Sequence, residues 1–158
     1  MQITMHPIGV IHSPYKELRD MPIQGIFKPD VEAWAELEDE YREGLKDLEG
    51  FSHAILLYHF DRSCTEQIEA SPFLEDNKHG IFAIRSPHRP NHIGLSVVKI
   101  CSVDGKRLHF KEVDILDKTP LLDIKPYVKY FDIRQDVVSG WIDKHFENGN
   151  NPERAIAR

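Results

Sequence analysis

Apolar and polar positions alternate along much of the chain, and the period changes clearly only once. Residues 3–12 read as a strand that stops at Ser13-Pro14. Residues 33–38 (AWAELE) alternate small or apolar with larger or charged side chains, the period-2 pattern of a half-exposed strand. Tyr41, Leu45 and Leu48 then fall four and three apart, one face of a short helix, and Gly50 stands where such a helix closes. Residues 53–60 (HAILLYHF) read as a buried strand, 81–84 and 93–103 as further strands, and Asp104-Gly105 as a two-residue hairpin turn into a strand over 107–113. Many short strands and one modest helix predict a mainly all-β fold, a barrel or a sandwich. Helices between successive strands, which a doubly wound nucleotide fold needs, are missing. Beyond Gly140 the chain turns polar (ENGNNPERAIAR) and is expected to be a mobile or weakly docked end.

Composition narrows this further. The 158 residues suit one domain with a real core. With 20 Lys and Arg against 26 Asp and Glu, the formal net charge of -6 excludes a generally basic nucleic-acid binder but not a local basic patch. No apolar run approaches the roughly 20 residues of a membrane span, and the N-terminus does not read as a signal peptide. Cys64 and Cys101 cannot make a disulfide framework or a thiolate zinc site by themselves, which fits a reducing cytoplasm. Residues 77–103 hold no Asp or Glu, yet they hold Lys78, Arg85, Arg89 and Lys99. Such a stretch either protects an anion site or reflects a buried strand with little room for acids.

Candidate chemistry concentrates in two segments. In residues 85–96 (RSPHRPNHIGLS) two prolines stiffen a loop that carries Arg85, Arg89, Asn91, His88 and His92. An arginine whose direction is fixed loses less entropy on binding a carboxylate or phosphate. In residues 114–127 Asp114, Asp117 and Asp123 sit among apolar residues, and such carboxylates need a partner or a task. Arg85, Arg89 and Lys125 are the expected partners. Met21-Pro22-Ile23-Gln24-Gly25 forms a turn whose glutamine amide suits a polar ligand. His88 and His92 lack a matching carboxylate cluster, so no metal is expected. Cys64 lies in no nucleophile signature, and no Walker or dinucleotide glycine fingerprint occurs.

Four blocks resemble the TsaA-like, or TrmO, family of S-adenosylmethionine-dependent tRNA methyltransferases. They are IGVIHSPYK at 8–16, LEGFSHAILL at 48–57, RSPHRPNHIGLS at 85–96 and ILDKTPLLDIKPY at 115–127, in family order. The resemblance implies a small single-domain β-barrel over residues 1–135, with 136–158 as a polar C-terminal tail. It also implies a homodimer with S-adenosyl-L-methionine held near the subunit interface. The implied substrate is the tRNA anticodon loop, where N6-threonylcarbamoyladenosine would gain an N6-methyl group. Cofactor contacts carry over to Gln24, Gly25, Phe60, Asp61, Arg89, Ile115, Leu116, Asp117 and Lys118. Arg85 or Lys125 would meet the threonyl carboxylate, with Asn91 and Tyr127 also at the substrate. His88, His92 and Asp123 are candidates for the base that takes the N6 proton. Lys16, Arg19, Lys28 and Arg107 would meet tRNA phosphates, and Tyr15, Tyr127 or His88 would stack on bases. This sequence departs from the family pattern at Lys118, usually glycine, and at His88 and His92, usually phenylalanine and proline. A non-enzymatic S-adenosylmethionine-binding regulatory module would show the same cofactor residues, as would a methyltransferase acting on another substrate.

Overall fold

The computed structural model describes residues 1–147, 149 and 152–156. Six antiparallel strands close into a barrel in the order β1-β2-β7-β6-β3-β8. They are β1 Gly9–His12, β2 Glu32–Leu37, β3 His53–His59, β6 Ile93–Asp104, β7 Arg107–Lys111 and β8 Thr119–Pro126. Two short strands outside the barrel, β4 Glu69–Ala70 and β5 His79–Gly80, pair with each other. Inward positions alternate with outward ones, as a closed barrel requires. Ala54, Leu56 and Tyr58 of β3 face Gly94, Ser96 and Val98 of β6 in register, and all of them point inward. Small Ala33, Ala35 and Ala54 leave room for Phe110, Leu108 and Leu56, so large and small side chains together fill the narrow interior.

The expected mainly-β barrel is therefore the fold, with differences in detail. The first strand covers only Gly9–His12 of the expected 3–12. The helix expected over 41–50 is two 3-10 turns, Asp39–Leu45 and Leu48–Gly50, separated by Asp47 in a left-handed conformation (φ 66°). Residues 81–84 hold a 3-10 turn, Ile81–Ala83, instead of a strand. Ile81 there is buried against Ala70 and Ile84, a second small core. β8 had no strand signal, because Pro120 and Pro126 lie within it and its aspartates break the apolar pattern. Two four-residue helices, α1 Lys129–Asp132 and α2 Glu153–Ile156, follow the barrel.

The expected weakly docked end is held by specific contacts in its described residues. Trp141 stacks on His79 (centroids 4.5 Å apart) and donates its indole N–H to the Ala83 carbonyl at 2.9 Å. Glu75 accepts from Lys144 at 2.5 Å, and from His79 and His145 at 2.8 Å each. Ala155 is fully buried, and its carbonyl accepts from the Ile23 amide at 3.1 Å. The rest of the tail, residues 148, 150, 151, 157 and 158, lies outside the described residues.

Lys144, then His79, hold the Glu75 carboxyl down at about 2. A carboxyl depressed in the fold stabilises docking above its ordinary pKa of 4.5, and that contribution is lost as pH falls towards 2. Trp141 fluorescence in a Trp34→Phe background should therefore report undocking across that window. Glu75→Gln should show the undocked spectrum at neutral pH. An acid-insensitive Trp141 signal, with the barrel still folded by circular dichroism, would count against this reading.

Candidate functional site

One end of the barrel opens into a cavity of about 630 Å³, within the range of small-molecule sites, about 300–1,000 Å³. Four segments wall it. The end of β3 brings Tyr58 and, beyond it, Phe60 and Asp61. The proline loop brings Arg85, His88, Arg89 and Asn91. The turn before Gly25 brings Gln24, and the stretch before β8 brings Asp114, Ile115 and Leu116. Apolar walls thus carry two carboxylates (Asp61, Asp114), three guanidiniums (Arg62, Arg85, Arg89), two amides (Gln24, Asn91) and one imidazole (His88).

The proline loop is braced from within. Arg89 donates to the Ile84 carbonyl at 2.9 Å, and His92 Nδ1 donates to the Pro87 carbonyl at 2.9 Å. The His92 carbonyl accepts from the Phe60 amide at 2.8 Å. Asn91 and His92 are both left-handed, with φ of 64° and 49°, a strained pair that only such bracing sustains. His88 Nδ1 lies 3.1 Å from the Ser63 hydroxyl and 3.0 Å from that of Thr65, so its ring is anchored while the side chain lines the cavity. Arg85 donates to the Gln24 side-chain oxygen at 2.8 Å.

Beneath lies a buried polar chain. Ser96 Oγ donates to Asp114 Oδ1 at 2.5 Å, so at 3.0 Å the Tyr58 hydroxyl is the donor to Ser96. Asp114 is buried and lines the cavity. Burial, then the charge of Asp114, raises the pKa of Tyr15, whose buried hydroxyl has no hydrogen-bond partner among the described residues.

Of the residues expected at the cofactor, the cavity gathers Gln24, Phe60, Asp61, Arg89, Ile115 and Leu116. Gly25 lies outside it, and a Cβ there would stand 1.6 Å from the Glu112 carbonyl oxygen, so this glycine serves close backbone packing. Asp117 is buried away from the cavity. Burial would raise its pKa, but hydrogen bonds from Lys16 (2.5 Å) and the Ser13 amide (3.1 Å) hold it below the ordinary carboxylate value. Lys118, also outside, keeps the left-handed backbone (φ 63°) that a glycine would adopt, its amide donating to the Ile11 carbonyl at 2.8 Å. The backbone path thus survives the substitution at a cost of roughly 1–2 kcal/mol.

Arg85, Asn91 and His88 line the cavity, whereas His92, Asp123, Lys125 and Tyr127 do not. Asp123 pairs with Lys125 at 2.7 Å, and the Tyr127 ring meets His53 edge-on. Tyr15 is buried and offers no face to a base. Arg107 pairs with Glu36 at 2.7 Å, Lys16 with Asp117 at 2.5 Å and Arg19 with Glu17 at 4.0 Å, and Lys28 donates to the Asp20 carbonyl at 2.9 Å, so all four expected phosphate contacts carry internal partners. The expected arginine and lysine partners suit only Asp123; Asp114 takes a serine and Asp117 takes Lys16. Nothing along the chain marks Tyr58 or Phe82 as cavity residues, because each reads as an ordinary apolar position of its segment. Among the described residues no group of three or more His, Cys, Asp or Glu is placed to hold a metal ion. No helix among them is long and apolar enough to cross a membrane.

The family model for the tRNA-methyltransferase O N-terminal domain matches residues 10–133. A probable S-adenosyl-L-methionine-binding protein of Pyrococcus abyssi is 50% identical over 145 residues, 92% of this chain and 79% of that protein. The human tRNA (adenine(37)-N6)-methyltransferase is 36% identical over 118 residues, 72% of this chain but only 26% of the human protein. A crystal structure of TrmO from Pseudomonas aeruginosa superposes with a TM-score of 0.80 at 31% identity, covering 100% of this chain and 82% of that one.

Proposed function

The chain belongs to the tRNA-methyltransferase O N-terminal domain family and is an S-adenosylmethionine-dependent methyltransferase, and from that premise we propose that its acceptor is N6 of N6-threonylcarbamoyladenosine beside a tRNA anticodon. The observation that carries this reading is the placement of Arg85 and His88 on the wall of the same cavity as Asp61, Asp114 and Phe60. The human relative's name gives the same position and atom on adenine.

The residues present suit the cofactor. Phe60, Ile115 and Leu116 give apolar walls for an adenosine, and Asp61 and Asp114 give negative charge for a cationic group. When bound, S-adenosylmethionine supplies an electrophilic methyl group from a sulfonium that becomes a neutral thioether. The N6 of the acceptor is urea-like, its lone pair delocalised, so it loses its proton as the N–C bond forms. His88 takes that proton, its Nδ1 held by Ser63 and Thr65 and its other ring nitrogen left to the acceptor. Arg85 pairs with the threonyl carboxylate, which gives discrimination against plain adenosine.

Residues 1–135 form the catalytic barrel and 136–158 an appended segment. The enzyme works as a homodimer in the cytoplasm, where tRNA is. Ile93, Leu95 and Val97 support self-association, since they leave an apolar stripe 37–45% exposed on β6, and Ile93 and Leu95 reach the cavity.

Labelled cofactor incubated with tRNA should put label into the nucleoside only when the threonylcarbamoyl group is present. Equal labelling of plain adenosine tRNA would remove Arg85 as the reader of that group. Cofactor binding without transfer to any tRNA would favour a regulatory binding module, the reading nearest to the Pyrococcus relative's name.

A further inference from the structure

Phe82 is out of place for a large apolar residue. The 3-10 turn Ile81–Ala83 buries Ile81 in the second core and leaves Phe82 77% exposed. Its ring lines the main cavity and also an adjoining cavity of about 390 Å³. That second cavity is aromatic, walled by Phe27, Phe73, Trp141 and Phe146, and part of that wall is the docked C-terminal segment. Gln24 and Arg85 belong to both cavities, and their 2.8 Å hydrogen bond spans the border. An exposed aromatic ring therefore stands between the donor cavity and an aromatic one, with a guanidinium beside it.

Exposure alone is shared with Tyr130 and Ile68, but the Phe82 ring lies open on the border of two cavities, where a ligand can lie against its face. Such a cover must be flat to use the face, must reach the donor cavity, and gains if it carries an anion for Arg85. A base splayed out of a single-stranded loop meets these demands, because every base has a face that stacks on aromatic side chains. Resting on the tRNA reading above, we infer that Phe82 is the stacking platform for the acceptor adenine, which enters through the second cavity with its carboxylate towards Arg85. The Tyr15 ring is buried, and the Tyr127 ring lines neither cavity.

Phe82→Ala and Phe82→Trp test this on the full chain with threonylcarbamoylated tRNA. The ring is largely exposed, so neither change should alter the melting temperature. Phe82→Ala should raise the KM for tRNA about 5- to 150-fold, the range of one base–aromatic stack. The cofactor Kd and the sedimentation mass should stay as in the parent, and Phe82→Trp should restore the KM. A parental KM in Phe82→Ala, with the parent itself active, overturns the platform alone. So does a loss confined to cofactor affinity, or a change only in mass, which would show a second copy to be the cover. A parent that methylates no threonylcarbamoylated tRNA removes the substrate reading, and the platform with it.

Discussion

A His88→Ala enzyme is expected to lose about 10²- to 10⁴-fold in the rate of methyl transfer at saturating cofactor and tRNA. Its affinity for S-adenosylmethionine should be unchanged. Of the three candidate bases, His88 alone lines the cavity. His92 spends its Nδ1 proton on the Pro87 carbonyl and braces the loop, so His92→Ala should loosen the site without removing the proton acceptor. Asp123 is ion-paired with Lys125 on β8. The anchoring of His88 gives a second readout: removing the Ser63 and Thr65 hydroxyls together should lower kcat while leaving the imidazole in place. Single-turnover rates, with cofactor binding followed by calorimetry, separate these outcomes. A parental rate in His88→Ala would move the proton transfer to another group.

Gly94→Ala should damage both stability and activity. Gly94 of β6 pairs directly with Tyr58 of β3, and a methyl group there would lie 2.2 Å from Tyr58 Cε2 and 2.5 Å from Cζ. The ring cannot simply step aside. It is only 4% exposed, its hydroxyl holds Ser96, and its edge meets Phe60 at 5.3 Å between centroids. Overpacking of this kind costs about 1–3 kcal/mol. Because Tyr58 and Phe60 wall the cavity and Ser96 holds Asp114, displacement of about 1 Å should lower kcat/KM on the order of 10²-fold. Tyr58→Val in the Gly94→Ala background should relieve the clash yet leave activity low, because the wall and the Ser96 partner are gone. If Gly94→Ala binds cofactor as tightly as the parent, the Tyr58 wall is not part of the cofactor site.

Much of the barrel was legible because residues 33–38 alternate as a half-buried strand must, and 53–60 carry the short continuous apolar run of a buried one. The hairpin was legible for a related reason, one residue out of place: Asp104 still pairs with Arg107, the two-residue turn is Gly105-Lys106, and Gly105 accepts the positive φ (59°) that a tight turn needs. The 119–126 strand was hidden by its prolines, since a barrel supplies pairing partners that local propensity cannot anticipate. The docking of the tail was hidden too. Glu75 meets Lys144 and His145 about 70 positions further on, and nothing in residues 141–147 (WIDKHFE) announces such a partner.

The site divides in the same way. The proline-loop block carries a stiff backbone and its cations in consecutive residues, so its role could be read along the chain. Asp114 and Asp117, three residues apart in similar apolar company, could not be told apart there. Packing turns the first into the cavity with Ser96 and Tyr58, and draws the second to Lys16 and the Ser13 amide. Alternation and stiffness are properties of neighbouring residues, so order along the chain determined the barrel and the arginine-bearing loop. Which carboxylate faces a ligand, and which ring stands uncovered between two cavities, depends on segments far apart in the chain, and only closure of the barrel decided it.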